Sequence, residues 1–254
     1  MNKTINTLFV GKVLHQFDAL PSTNQYAQDL LTKTKPAEGT IILTPKQFAG
    51  KGQLNNKWES EPGKNLTFSL IIYPSFLNVR KQFLLNQMVS LSVYETLKAF
   101  LNTGLSIKWP NDIYVLNKKI AGILIQNSIK GSTMQSSVIG IGLNINQQVF
   151  LSKAPNPTSL AIETGQEAQL EEILHFFCKK LEINYLKLKA GEYSSIQTQY
   201  QKNLFRCGIS HSFKKPDGSI FTGRILGVNE FGKLVIESTQ GKETFNFKEI
   251  SYIL

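Results

Sequence analysis

The stretch that most constrains the fold of this chain is 107–126, IKWPNDIYVLNKKIAGILIQ. A strand-like run, Leu105–Trp109, has to stop at Pro110, because proline cannot donate a ladder hydrogen bond. The Asn111-Asp112 pair that follows is turn chemistry. A second short strand, Asp112–Leu116, reaches another turn at Asn117, and a third begins near Lys119 and crosses Gly122. Lys108, the Asn-Asp corner and Lys119 therefore sit at the ends of short strands around a glycine. Charges held rigidly in this way suit an anionic ligand. The same residues also suit an ordinary meander with polar turns, and the segment alone leaves both readings open.

The flanking sequence predicts an α+β chain. Val13–Phe17 reads as a strand. Pro21-Ser22-Thr23 opens a helix, with Ser22 or Thr23 as N-cap and Ala27, Leu30 and Leu31 on its buried face. Gly39–Thr44 reads as a strand, residues 46–64 as a loop rich in Gly, Lys and Asn, and Leu66–Tyr73 as a strand whose Leu66, Phe68, Leu70 and Ile72 alternate with smaller residues. Arg80–Asn102 predicts a long helix ending at Gly104. Beyond the 105–146 strands the pattern turns helical, over Ser159–Thr164, Gln169–Lys189 and Glu192–Asn203. From 205 onward Pro216-Asp217-Gly218, Asn229-Glu230-Phe231-Gly232 and Gln240-Gly241 punctuate short β-rich runs, as in a small all-β barrel. The expected organisation is a domain over 1–204 with a mixed or antiparallel sheet, followed by a β module over 205–254.

Composition narrows the function classes. No run of about 18 apolar residues is present, so no membrane span is expected. The N-terminus lacks the form of a signal peptide, which points to the cytoplasm. Cys178 and Cys207 form no CxxC motif, and His15, His175 and His211 show no metal-ligand spacing. The net charge of +10 favours anionic partners. A basic nucleic-acid-binding adaptor is one such reading. However, the lysines are scattered, and the basic residues of the C-terminal module are nearly balanced by Asp217, Glu230, Glu237, Glu243 and Glu249.

Three further stretches fit an anion site: LPSTNQYAQDLL at 20–31, QFAGKGQLNNKWESEPGKNLTFSL at 47–70 and VIGIGLNIN at 138–146. In this order, together with Lys-Trp-Pro-Asn-Asp and Lys-Ile-Ala-Gly-Ile-Leu, they resemble biotin protein ligase, strongly over residues 10–165. The resemblance implies a class II synthetase-like biotin/lipoate ligase domain with an SH3-like C-terminal barrel. It also implies a two-step reaction. Biotin and ATP give biotinyl-AMP and pyrophosphate, with Mg²⁺ helping two anions to meet. A lysine of a biotin carboxyl carrier domain then takes the biotin. A monomer or a homodimer is compatible with this.

What the resemblance implies for individual residues can be stated one by one. Lys119 matches the family lysine that contacts the biotin carboxylate and the adenylate phosphate, and Gly122 follows it. Ser22, Thr23 and Asn24 match a Ser-Thr-Asn triplet near the ureido ring, and Gln47 a glutamine of the same pocket. Gly50-Lys51-Gly52 matches a Gly-Arg-Gly at the head of the ligand loop, which also carries Gln53, Asn56 and Trp58. Lys51 is thereby assigned a catalytic role. Asn111 and Asp112 are expected to order the nucleotide and its metal, Asp112 in a catalytic role that either orients a lysine or holds Mg²⁺ through water, and Asn144 to lie near the adenine. Asn156-Pro157-Thr158-Ser159-Leu160 resembles the segment that closes beside the adenylate. The loop departs from the family pattern at Lys51, Gln53, Leu54, Asn55 and Asn56, losing arginine forks and a glycine. Only about 20 residues precede Ser22, too few for a three-helix DNA-binding unit, so ligase activity without operator binding is expected. The nearest rival is a lipoate or octanoate ligase or transferase, whose fatty substrate needs no polar cluster at the far end of its pocket.

Overall fold

A computed structural model describes residues 5–53, 56–102, 104–151 and 156–253. Two sheets organise the chain. The larger has seven strands in the order β1-β2-β3-β7-β6-β5-β4: β1 Leu14–Gln16, β2 Ile41–Thr44, β3 Leu66–Ile72, β4 Leu105–Lys108, β5 Asp112–Val115, β6 Lys118–Lys130 and β7 Thr133–Leu143. Only β1 and β2 run parallel, and the other pairs are antiparallel. The mixed sheet expected from the sequence is thus present, with β1 to β5 each a residue or two shorter than the expected run and β6 starting at Lys118.

Helix α1 (Thr23–Lys33) covers one face of this sheet. On the other face lie α2 (Gln82–Lys98), α3 (Leu160–Thr164), α4 (Leu170–Lys189) and α5 (Tyr193–Lys202), with α2 packed against α4 and α5. The long helix predicted over Arg80–Asn102 is shorter. A 3₁₀ turn, Val79–Lys81, precedes it, because the Asn78 side chain accepts from Arg80 N and caps that turn instead. Strand β3 departs from simple alternation: all seven residues are buried. It lies between β2 and β7 with helices on both sides, so Thr67 and Ser69 are buried along with their apolar neighbours.

The C-terminal module is a five-stranded antiparallel sheet, β11-β10-β9-β8-β12, built from β8 Ser210–Lys214, β9 Ile220–Val228, β10 Leu234–Ser238, β11 Gly241–Phe245 and β12 Ser251–Tyr252. Its outer strands each have one strand partner among the described residues. Phe213, Ile225, Leu234, Ile236, Phe245 and Ile250 belong to the same apolar cluster as the core of the larger sheet. At the junction Phe205 N donates to Ile107 O at 2.9 Å, which extends β4 by one more backbone pairing. Phe177 is fully buried in this cluster, edge-on to Phe68 at 5.1 Å between ring centroids. Phe177→Ala should destabilise the protein by about 3–5 kcal/mol, read as a lowered urea midpoint.

Candidate functional site

A cavity of about 550 Å³ opens on the α1 face of the large sheet. At one end is a buried polar cluster. Ser22 caps α1, its hydroxyl accepting from Gln25 N. The next residue, Thr23, donates through its backbone N and Oγ1 to Gln47 Oε1, at 2.8 and 3.2 Å. Ser69 Oγ lies 2.7 Å from Thr23 Oγ1 and 2.5 Å from Asn24 Oδ1, and Asn24 Nδ2 donates to Gln126 Oε1 at 2.9 Å. Gly140 makes this possible, since a Cβ there would meet Asn24 Oδ1 at 2.2 Å. Capping and site-building thus coexist in the Ser-Thr-Asn triplet, on different atoms.

The middle of the cavity is floored by two more glycines. Gly122 and Gly142 are register partners on β6 and β7, and the Trp58 indole lies across both, where a Cβ on Gly142 would come within 2.2 Å of the ring. Trp58 Nε1 is buried without a hydrogen-bond partner among the described residues. The ligand loop reaches this position as a narrow turn-back: Trp58 N donates to Gly50 O, Gly52 N to Asn56 O, and Lys51 bridges to Lys57. Leu54 and Asn55, where the loop departs from the family pattern, lie outside the described residues. Lys51 is exposed on the rim, its Nζ 3.1 Å from Gln25 Oε1.

At the far end Lys119 Nζ stands 2.7 Å from Asp112 Oδ1 and 5.6 Å from the Trp58 ring centroid. A bulge brings it there. Ile113 pairs with Ala121, but Tyr114 pairs with Lys119, leaving Ile120 as an extra residue. Successive residues of a strand face opposite ways, so without the extra residue Lys119 and Gly122 would point to opposite faces. The backbone beyond is pinned as well: Lys119 N donates to Asn156 O and Thr158 N to Lys119 O. Neighbouring Lys118 is exposed and pairs with Glu163 at 3.1 Å.

Most of the residues singled out by sequence line this cavity: Ser22, Thr23, Asn24, Gln47, Lys51, Gly52, Gln53, Asn56, Trp58, Asn111, Asp112, Lys119 and Gly122. Two lie behind its wall. Gly50 backs onto Trp58, where a Cβ would meet Trp58 O at 2.7 Å. Asn144 is buried behind the Lys119 hairpin, its Nδ2 donating to Thr158 O and its Oδ1 lacking a partner among the described residues. Its placement follows from strand order, because residues just past β7 run beneath the segment at 156–160. Asn111 lines the wall while spending its amide on the scaffold, donating to Ile123 O.

Other lining residues escaped sequence reasoning. Phe247, Lys248, Ile250, Ser251 and Tyr252 come from the C-terminal module, and no local signal points them at the site. Lys248 adopts a left-handed backbone conformation, φ +68°, at the cavity wall. Trp109, whose peptide to Pro110 is cis, donates through Nε1 to Gly232 O at 2.9 Å and meets Phe247 edge-on. Lys108, by contrast, was already placed by the sequence at a strand end beside the Asn-Asp corner, and it too lines the cavity. Burial lowers the pKa of its ammonium; Asp112 opposes that, while Lys119 and Arg206 reinforce it.

The site is thus one concave surface that passes from a buried polar cluster, over a glycine floor, to a lysine–carboxylate pair. The sequence matches the biotin/lipoate A/B protein ligase family over residues 16–144, and the chain belongs to that family. It is similar to the bifunctional ligase/repressor BirA of Bacillus subtilis, with 28% identity over 240 residues, covering 93% of this chain and 73% of that protein. It is also similar to the biotin–[acetyl-CoA-carboxylase] ligase of Paracoccus denitrificans, with 25% identity over 220 residues, covering 83% and 89%. Its structure superposes on the biotin protein ligase from Aquifex aeolicus in complex with biotin and ATP with a TM-score of 0.78 and 26% identity, covering 94% of this chain and 98% of that one.

Proposed function

We propose that this chain is an ATP-dependent biotin–protein ligase. It activates biotin as biotinyl-5′-AMP and passes the biotin to a lysine of a carboxylase carrier domain. The observation that carries this reading is the single cavity joining the Thr23–Asn24–Gln47–Ser69 cluster to the Lys119–Asp112 pair. The polar cluster offers donors and acceptors suited to a ureido ring, and a fatty acyl chain has no use for them. That favours biotin over lipoate.

In the first step a carboxylate oxygen attacks the α-phosphorus, and the bond to pyrophosphate breaks. Lys119 is assigned to hold the carboxylate and then the charge growing on the phosphate, with Asp112 orienting its ammonium. Mg²⁺ belongs to this proposal as part of the substrate Mg-ATP. The described residues contain no cluster of three or more His, Cys, Asp and Glu side chains. Asp112 together with phosphate oxygens suits a hydrated ion. In the second step the chain positions the carrier amine, with Lys119 still beside the phosphate that leaves as AMP.

The same proposal has a catalytic domain at 1–204, a C-terminal β domain at 205–254, and the protein in the cytoplasm as a monomer or homodimer. No helix among the described residues is long and apolar enough to cross a membrane. The test is incubation with biotin, Mg-ATP and a biotin carboxyl carrier domain, read by mass spectrometry, with lipoate in a parallel tube. One biotin mass added to one carrier lysine is expected. Modification by lipoate alone would move the chain to the other branch of its family.

A further inference from the structure

Lys108 opens the Lys-Trp-Pro-Asn-Asp run, yet the proposed reaction gives it no step. Its surroundings are specific. Nζ donates to Tyr114 Oη at 2.9 Å and lies 4.6 Å from the Tyr114 ring centroid and 5.0 Å from that of Tyr252. Tyr114 stands on β5 of the large sheet and Tyr252 on β12 of the C-terminal module, so both units hold this one ammonium. Two aromatic faces attract a cation and restrict its long side chain. The charged groups around it are Asp112, Lys119 and Arg206.

Register fixes where this cation sits relative to the rest of the site. Gly142 pairs with Gly122, Gly122 with Asp112, and Asp112 with Lys108, forming one row across four strands. Strands are about 4.8 Å apart, so the Lys108 backbone lies roughly 10 Å beyond Gly122. The Lys119 ammonium, in contrast, is beside Gly122, where a Cβ would be 3.4 Å from Nζ. A ligand seated with its polar ring at Asn24 and its reacting carboxyl at Lys119 thus meets Lys108 only through a group farther along the same row.

Resting on the biotin-ligase reading, we propose that Lys108 is a catalytic residue of the first step alone: its ammonium binds the β- and γ-phosphates of the nucleotide and stabilises them as they depart. The balance is simple. The carboxylate oxygen forms its bond to the α-phosphorus, the bond from that phosphorus to the bridging oxygen breaks, and pyrophosphate leaves with the electron pair toward Lys108. Nothing of this group remains in the second step, so Lys108 has no charge to meet there. Lys119 faces the phosphate that stays and serves both steps.

The two steps can be run separately on the full chain. Lys108→Gln should lower kcat/KM for adenylate formation roughly 10- to 100-fold, as loss of a charge-assisted contact does. Transfer from preformed biotinyl-AMP to the carrier should stay within about twofold, and Lys119→Gln should slow both steps. In the reverse direction, the KM of inorganic pyrophosphate for cleaving bound biotinyl-AMP should rise for Lys108→Gln and recover in part for Lys108→Arg, which restores a cation. Equal losses in both steps, or an unchanged pyrophosphate KM, would overturn the assignment. If Lys108→Gln folds poorly, as judged by its melting temperature, the pyrophosphate KM of Lys108→Met, which keeps the apolar stem and removes the charge, decides the matter: a wild-type value overturns the assignment. A wild-type chain that makes no biotinyl-AMP at all would refute the ligase reading, a different outcome from any of these.

Discussion

Lys119→Ala should slow biotinyl-AMP formation by roughly 100- to 1000-fold, the loss typical of removing one preorganised charge from a transition state. Lys118→Ala should change it by less than about threefold. The two lysines are adjacent in sequence and identical in chemistry, so the contrast isolates geometry. Lys119 lines the cavity, paired with Asp112 at 2.7 Å and flanked by the Trp58 ring. Lys118 points outward to Glu163, as an exposed surface pair of small energetic weight. Rapid-quench measurement of adenylate on both variants checks the expectation. Similar small losses from the two would return Lys119 to the surface and leave the site without its central cation.

The second large effect concerns a residue with no side chain. Gly140→Ala should weaken biotin binding by roughly 10- to 100-fold, because the new methyl would stand 2.2 Å from Asn24 Oδ1. Asn24 has to leave, and with it go the contacts to Ser69 and Gln126 that order the polar end of the pocket. Calorimetric titration with biotin measures the loss. A double-mutant cycle tests its cause. With Asn24 already shortened to Ala, adding Gly140→Ala should cost little more. Additive losses would mean that the glycine acts through the sheet backbone instead of through Asn24.

Much of this was legible in the sequence for reasons that can be named. Pro110, the Asn-Asp pair and Asn117 end strands wherever they occur, so the β4–β5–β6 meander could be read directly. The start of α1 was narrowed to Ser22 or Thr23 as cap by residue type, and the structure gives the cap to Ser22. The C-terminal turn signals likewise bracket the strands they were expected to bracket. The start of α2 was not legible, because Asn78 sets a separate 3₁₀ turn whose cap depends on side-chain geometry. Nor was the burial of Thr67 and Ser69. Their polarity suggests solvent, and only the packing of α1 over β3 buries them, Ser69 against Thr23 and Asn24 in the site and Thr67 against the backbone oxygen of Thr44.

The sequence by itself determined the strand ends, the caps, the basic character and the family, because each rests on local backbone chemistry or on residues that can be matched one by one. Tertiary structure alone decided which way the key groups face and which distant residues join them. The extra residue at Ile120 turns Lys119 onto the face of Gly122, and a one-residue shift of that kind leaves no mark in composition or periodicity. The row from Gly142 through Gly122 and Asp112 to Lys108 exists only once four strands are in register. Lys248 and Tyr252 reach the cavity across more than a hundred residues of chain from Lys119, because the C-terminal sheet shares its apolar core with the larger one. Burial of that shared core is non-directional and summed over many side chains, so no short stretch of sequence could reveal where it would carry them.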